Sequence, residues 1–226
     1  MLTKLIHFLF PQQCLHCHKI IEQKFLCDEC FKTIKFTDDH LYPTSSQCYV
    51  RLVGELGIKM GMSMCFFNKE TAIQSLMHCL KYGKKPKIGT WIGSMYGEKL
   101  LNYHFEKDFD LMIPIPLHKD RLRARGYNQS AMFAKGLSDI LNIPVEEKAI
   151  IRTRNTVSQT TKPRAERFEN VKGAFDVIAP NKIKGKNILL IDDTVTTGAT
   201  LISCGKEILK CQPKSLSVVT ICVAVD

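Results

Sequence analysis

From residue 109 onward, short apolar runs alternate with amphipathic ones: FDLMIPIP, SAMFAKGLSDIL, NILLID, LISCGKEILK and SLSVVTICVAV follow in that order. No other feature constrains the fold as much. An apolar run too short for a buried helix reads as a strand covered on both faces, and strands separated by helices pair in parallel through right-handed crossovers. Within SAMFAKGLSDIL, the residues Ala131, Phe133, Ala134, Leu137, Ile140 and Leu141 share one helical face. The prediction is an α/β fold built on a parallel sheet, and ligands of such sheets sit beyond the carboxyl ends of the strands.

Upstream, QCYVRLV and GMSMCFF within residues 47–67 are two β-like runs flanking a glycine-containing stretch, which predicts a hairpin. ETAIQSLMHCLKYG places Ala72, Ile73, Leu76, Met77 and Leu80 at helical spacing before a stop at Gly83, and a second helix is expected over about 87–104 despite its glycines. Lys81, Lys84, Lys85 and Lys87 cluster between these helices, as a solvated face or as a rim facing an anion.

Residues 14–30, CLHCHKIIEQKFLCDEC, hold two CxxC pairs, with nine residues between Cys17 and Cys27. Each pair can set two thiolates on one side of a tight knuckle, and two knuckles complete the tetrahedral four-sulfur shell that zinc prefers. Cys14, Cys17, Cys27 and Cys30 are therefore the candidate ligands of a structural zinc, since four protein ligands leave no open position for water or substrate. His16 and His18 lie in or beside the first knuckle and read as exposed polar residues, while the remaining cysteines sit among apolar neighbours and read as small buried hydrophobes.

A length of 226 residues with 45% hydrophobic and 24% charged residues is that of an ordinary globular protein with room for one main domain and a small module. The expected division is a zinc-binding finger at 1–45 and a larger domain at 46–226, whose hairpin and helices occupy 46–108 and whose core occupies 109–226. A net charge of +10 calls for an anionic partner: nucleic acid, a phosphate-rich small molecule or an anionic membrane surface. No run approaches the roughly 18 apolar residues of a membrane span, and the opening stretch has no small-residue cleavage site, so a cytoplasmic protein without a transmembrane segment is expected.

The chemistry concentrates in ILLIDDTVTTGAT, residues 188–200. The expected layout is a strand over 187–192, a loop over 193–198 and a helix from about 199. A loop entering a helix presents unpaired backbone N–H groups and the positive end of the helix dipole, so Thr196, Thr197, Gly198, Ala199 and Thr200 can cradle a phosphate, with Thr194 a further candidate for ligand binding. Asp192 and Asp193 just before it would repel a phosphate but accept hydrogen bonds from sugar hydroxyls. A ribose 5-phosphate satisfies both demands; a helix N-terminus with two capping acids is the plainer alternative.

This stretch resembles the phosphoribosyl-pyrophosphate (PRPP) loop of type I phosphoribosyltransferases. The resemblance implies that fold, with the two acids on the ribose hydroxyls as the catalytic pair, the turn on the 5-phosphate, and Mg²⁺ accompanying PRPP. PIPLHKDRLRARGYNQ (114–129) falls where that family places its pyrophosphate loop, which makes Lys119, Arg121 and Arg125 candidates. RTRNTVSQTTKPRAERFENVKGAF (152–175) falls where the family carries a mobile lid, with Arg164 and Arg167 as candidates. Each stretch also reads as a solvated basic loop. Together with the double CxxC, these motifs resemble the ComF family over nearly the whole chain. That resemblance implies a role in natural transformation, with single-stranded DNA and a helicase-like competence protein as partners. Three functions follow as expectations: a PRPP-binding DNA-handling protein, an active phosphoribosyltransferase with an unidentified acceptor, or a PRPP-responsive regulator acting through protein contacts.

Overall fold

Four apolar segments pair side by side: β1 (Gly61–Phe67), β6 (Ser215–Ala224), β5 (Asn187–Val195) and β2 (Leu111–Pro114) form one sheet in that spatial order, with every neighbour parallel. The structure is a computed structural model that describes residues 12–22, 25–155 and 171–225. Helices cover both faces, as strands whose side chains are largely buried on both sides require. On one side lie α3 (Ala72–Tyr82), α4 (Lys87–Asn102) and α6 (Gln129–Leu141), which pack on Met62, Met64, Leu189, Ile191, Val219 and Ile221. On the other lie α2 (Gln47–Leu56) and α7 (Ala199–Lys210), which share a core with Ile188, Leu190, Leu216 and Val218. A short antiparallel pair, β3 (Ile150–Arg152) with β4 (Phe175–Val177), joins this second core.

Past β2, the chain crosses through α6 to residues 144–146, where Val145 bridges Met112 in parallel and extends the sheet edge. The next long strand, β5, then pairs on the opposite side of β2. The strand order therefore reverses at β2, and the loops leaving the carboxyl ends of β2 and β5 diverge to open a crevice between them.

Residues 47–56 are helical, so the expected hairpin does not form. Ser46 caps the helix, its Oγ accepting from the Tyr49 N–H at 2.9 Å, and Gly57 ends it in the left-handed conformation at φ 57°. Cys48, Leu52 and Leu56 recur every four residues on the buried face, a helical period that overrides the β-like composition. GMSMCFF is a strand as read, but it pairs in parallel with β6 rather than with its sequence neighbour.

The glycines of α4 have a packing role. A Cβ on Gly93 would lie 2.3 Å from the Phe133 carbonyl oxygen, and one on Gly136 of α6 would lie 2.1 Å from that of Thr90, so the two helices meet backbone to backbone.

Candidate functional site

The two cysteine knuckles close on one point. The sulfurs of Cys14, Cys17, Cys27 and Cys30 all lie within 4.8 Å of one another, and Cys17 and Cys27 are 3.6 Å apart, close to the edge of a tetrahedron with metal–sulfur bonds of about 2.3 Å. The first knuckle is folded by the Cys14 N–H donating to the Lys19 carbonyl and the His18 N–H donating to that of Cys14. The second opens α1 (Asp28–Lys32), which carries Cys30. Burial raises the Cys14 thiol, yet backbone N–H groups converging on its sulfur from Cys17, Cys27 and His16 outweigh this and lower it to about 6. The donor set suits a soft, tetrahedral metal, so these residues can hold one ion in a closed shell. The module sits on the main domain: Phe25 and Phe31 contact Trp91 of α4, with ring centroids 5.4 and 6.2 Å away, and His16 Nδ1 lies 3.0 Å from Ser75 Oγ of α3.

At the crevice between β2 and β5 lies a cleft of about 1140 Å³. Asp192, Asp193, Thr194, Thr196, Thr197, Gly198, Ala199 and Thr200 all line it. Asp193 belongs to β5 together with Asp192 rather than to the expected loop, because β6 is long enough to pair with the strand as far as Val195. Successive strand side chains point to opposite faces, so the two carboxylates diverge. The Asp192 carboxylate accepts from Ser130 Oγ of α6 at 3.0 Å and from the Asp193 N–H at 2.8 Å. Burial, then the neighbouring Asp193 charge, raise Asp192 to about 7. The Asp193 carboxylate instead meets the Lys81 ammonium of α3 at 3.0 Å.

The turn after Val195 enters α7 through Gly198, at φ 81°, where a Cβ would lie 2.7 Å from Leu52 Cδ2. Arg51 of α2 donates to the Thr196 carbonyl at 2.8 Å and to that of Ala224 at 2.7 Å. Its guanidinium thereby holds loop carbonyls, leaving the N–H groups at the start of a 12-residue helix for a ligand.

The expected pyrophosphate loop is in part a helix, α5 (Lys119–Arg125), which His118 caps through its side chain and which Gly126 ends at φ 84°. Arg121 and Arg125 on it line the cleft, whereas Lys119 is exposed and lies outside the lining. Arg164 and Arg167, with most of the expected lid, lie outside the described residues.

Several residues of the cleft lie outside the set of candidates that the sequence marks. Arg152, at the end of β3, lines it with its guanidinium 5.2 Å from the Phe175 ring; burial, then the Arg121 charge, pull it below the usual value. Gln129, only 1% exposed, also lines it, and among the described residues neither its Nε2 nor the Oγ1 of Thr194 has a hydrogen-bond partner. Buried polar atoms without partners are costly, so both mark places where a ligand can complete the bonding. Only the GYNQ run beside the basic stretch hinted at Gln129, and no local signal marked Arg51 or Ser130.

Residues 128–226 match the phosphoribosyl transferase domain family. Over these residues the chain is similar to phosphoribosyl transferase domains. The match begins at Asn128 and takes in α6, β5, α7 and β6, and with them the acid pair, Ser130 and the turn that enters α7. Competence protein ComFC of Bacillus subtilis is 40% identical over 91 residues, 40% of this chain and 35% of that protein. DNA utilization protein YhgH of Escherichia coli strain K12 is 28% identical over 155 residues, 66% of this chain and of that protein, so the chain spans just under two thirds of the length of such relatives. These relatives and the four-cysteine cluster bear out the ComF resemblance. Among solved structures, a glutamine PRPP amidotransferase from B. subtilis aligns with 64% of this chain and 30% of its own at 14% identity and a TM-score of 0.43.

Proposed function

We propose that the cleft binds PRPP with Mg²⁺ and that the chain acts in the cytoplasm as a ComF-like protein handling single-stranded DNA during natural competence, beside a helicase-like partner. The observation that carries this reading is the meeting of three chemistries on one cleft: a carboxylate pair, a helix N-terminus and a basic wall. Asp192 and Asp193 accept from the ribose hydroxyls, the backbone from Thr194 to Thr200 holds the 5-phosphate, and Arg121, Arg125 and Arg152 face the pyrophosphate; Lys119, Arg164 and Arg167 are pyrophosphate and lid candidates on the sequence alone. The carboxylate oxygens suit a hard cation such as Mg²⁺, which would neutralise the pyrophosphate. The cysteine cluster holds a structural zinc. The DNA part of the proposal is supported by the net charge of +10 and by the printed names of the relatives.

A second reading, an active phosphoribosyltransferase, is favoured by room in the cleft beyond the acid pair, where Phe67, Asn68, Lys69 and Tyr82 line a further wall. An acceptor seated there would take the ribose carbon as pyrophosphate leaves, a reaction driven by positioning and electrostatic stabilisation.

Calorimetric titration with PRPP and Mg²⁺, followed by an assay of pyrophosphate release with and without nucleobases, tests both readings. Binding is expected in the wild type and is expected to be lost in Asp192→Ala and Asp193→Ala with the zinc retained. Normal affinity in both variants would refute the site assignment. Release of pyrophosphate on adding a base would make the protein a transferase.

A further inference from the structure

Lys81 belongs to α3, outside the stretch that matches the phosphoribosyl transferase family, yet its ammonium reaches the cleft and sits 3.0 Å from Asp193 Oδ1. The contact is sheltered, with the two side chains 27% and 15% exposed. Burial alone would weaken the ammonium, but the Asp193 charge and hydrogen bond outweigh it and the net shift is upward, so the cation persists at neutral pH. The need for it is electrostatic. Two adjacent carboxylates at the end of one strand repel each other, and Asp192 is satisfied by neutral donors, Ser130 Oγ and the Asp193 N–H. Lys81 supplies the compensating charge on the Asp193 side.

A carboxylate engaged by an ammonium is not free for a sugar hydroxyl or a hard cation. Lysine is suited to leave, because its ammonium is a point charge on a flexible stem rather than a planar fork locked to its partner. Gln129 Nε2, without a hydrogen-bond partner among the described residues of the same cleft, is a separate sign that the site is completed by a ligand.

We propose that Lys81 is a resident counter-ion of the acid pair, standing where a divalent cation binds and exchanged for that cation when metal-bound PRPP arrives. The released ammonium then faces the phosphates alongside Arg121, Arg125 and Arg152. The second half of this inference rests on the PRPP reading above; the exchange itself does not.

The test is Mn²⁺ binding to the zinc-loaded full chain without PRPP, followed by the electron paramagnetic resonance signal of free Mn²⁺, for the wild type, Lys81→Met and Lys81→Arg. Removing the ammonium while keeping the stem is expected to tighten Mn²⁺ binding at least tenfold, and the arginine variant is expected to stay as weak as the wild type. Adding Asp193→Asn to Lys81→Met should erase the gain. Zinc content and the emission of Trp91 serve as folding checks on each variant. Equal Mn²⁺ affinity in all three proteins, or weaker binding in Lys81→Met, would overturn the proposal. A gain in Lys81→Met with no PRPP binding by any variant would uphold the exchange and refute the PRPP assignment.

Discussion

At the scale of single residues, the buried polar groups are where pH acts. Asp39, 9% exposed, accepts from the Ser63 N–H of β1 at 2.8 Å, while the Thr37 hydroxyl donates to the Ser63 carbonyl. Burial raises Asp39 to about 6, even though the hydrogen bond from Ser63 acts the other way. A carboxyl with a raised folded-state value contributes stability that is full below its unfolded value near 4 and is lost as the pH rises toward 6. Asp39→Asn keeps an acceptor for the Ser63 N–H and removes the titration. Denaturant unfolding at pH 4 and pH 7 should therefore show the variant gaining on the wild type by on the order of 1–3 kcal/mol across that interval. A constant difference at both pH values would mean that Asp39 ionises without cost. Asp192 and Asp193 stand out in the sequence as a candidate pair because two adjacent acids end an apolar run and precede a Thr/Gly-rich turn. Their separate partners, Ser130 and Lys81, come from helices 62 and 112 residues away, and no local pattern encodes such a pairing.

At the scale of elements, the glycines of α4 are the clearest case of sequence and packing pulling apart. Glycine is a poor helix former, and three of them at spacing four, Gly89, Gly93 and Gly97, weaken the helix taken alone. Their side of the helix faces α6, where Gly136 fits against Thr90 and Ser94. Gly93→Ala forces its Cβ against backbone that cannot yield, so it should destabilise the protein by about 1–3 kcal/mol despite raising helix propensity. Equilibrium unfolding measures this, and a neutral or stabilising result would show that the helices can part without cost. The segment 47–56 teaches the same lesson in reverse. Tyr49, Val50 and Val53 favour a strand by type, but Ser46, Gly57 and the spacing of Cys48, Leu52 and Leu56 fit a helix, and the apolar face of the sheet gave that helix something to cover.

At the scale of the whole molecule, the cysteine module is a buttress for the helices above the cleft. It touches α4 through Phe25 and Phe31 on Trp91 and α3 through His16 on Ser75, and α3 in turn carries Lys81. Trp91 is the single tryptophan of the chain, so its emission reports on this seat. Cys27→Ser, or treatment with a metal chelator, should shift that emission to the red and lower the melting temperature by on the order of 5–10 °C. An unchanged spectrum on metal loss would show that the module stays folded and seated without its ion. The net charge of +10 belongs to this scale too. If several phosphates are neutralised together, affinity for single-stranded DNA should fall steeply as salt rises, and a flat dependence measured by fluorescence anisotropy would remove DNA from the proposal. Among the described residues no helix is long and apolar enough to cross a membrane.

The sequence by itself determined the features that are local in the chain: the knuckle spacing of Cys14, Cys17, Cys27 and Cys30, the alternation of buried strands and amphipathic helices, and the run from Ile188 to Thr200 that brings acids, hydroxyls and a helix start together. Each of these arises from residues a few positions apart, whose geometry the backbone fixes directly. Tertiary structure alone decided which strand β1 joins, that Arg51 of α2 reaches the Thr196 carbonyl, and that Lys81 and Ser130 meet the two aspartates. Those contacts join segments far apart in sequence, and they form only because burying both faces of one parallel sheet leaves the helices few places to stand.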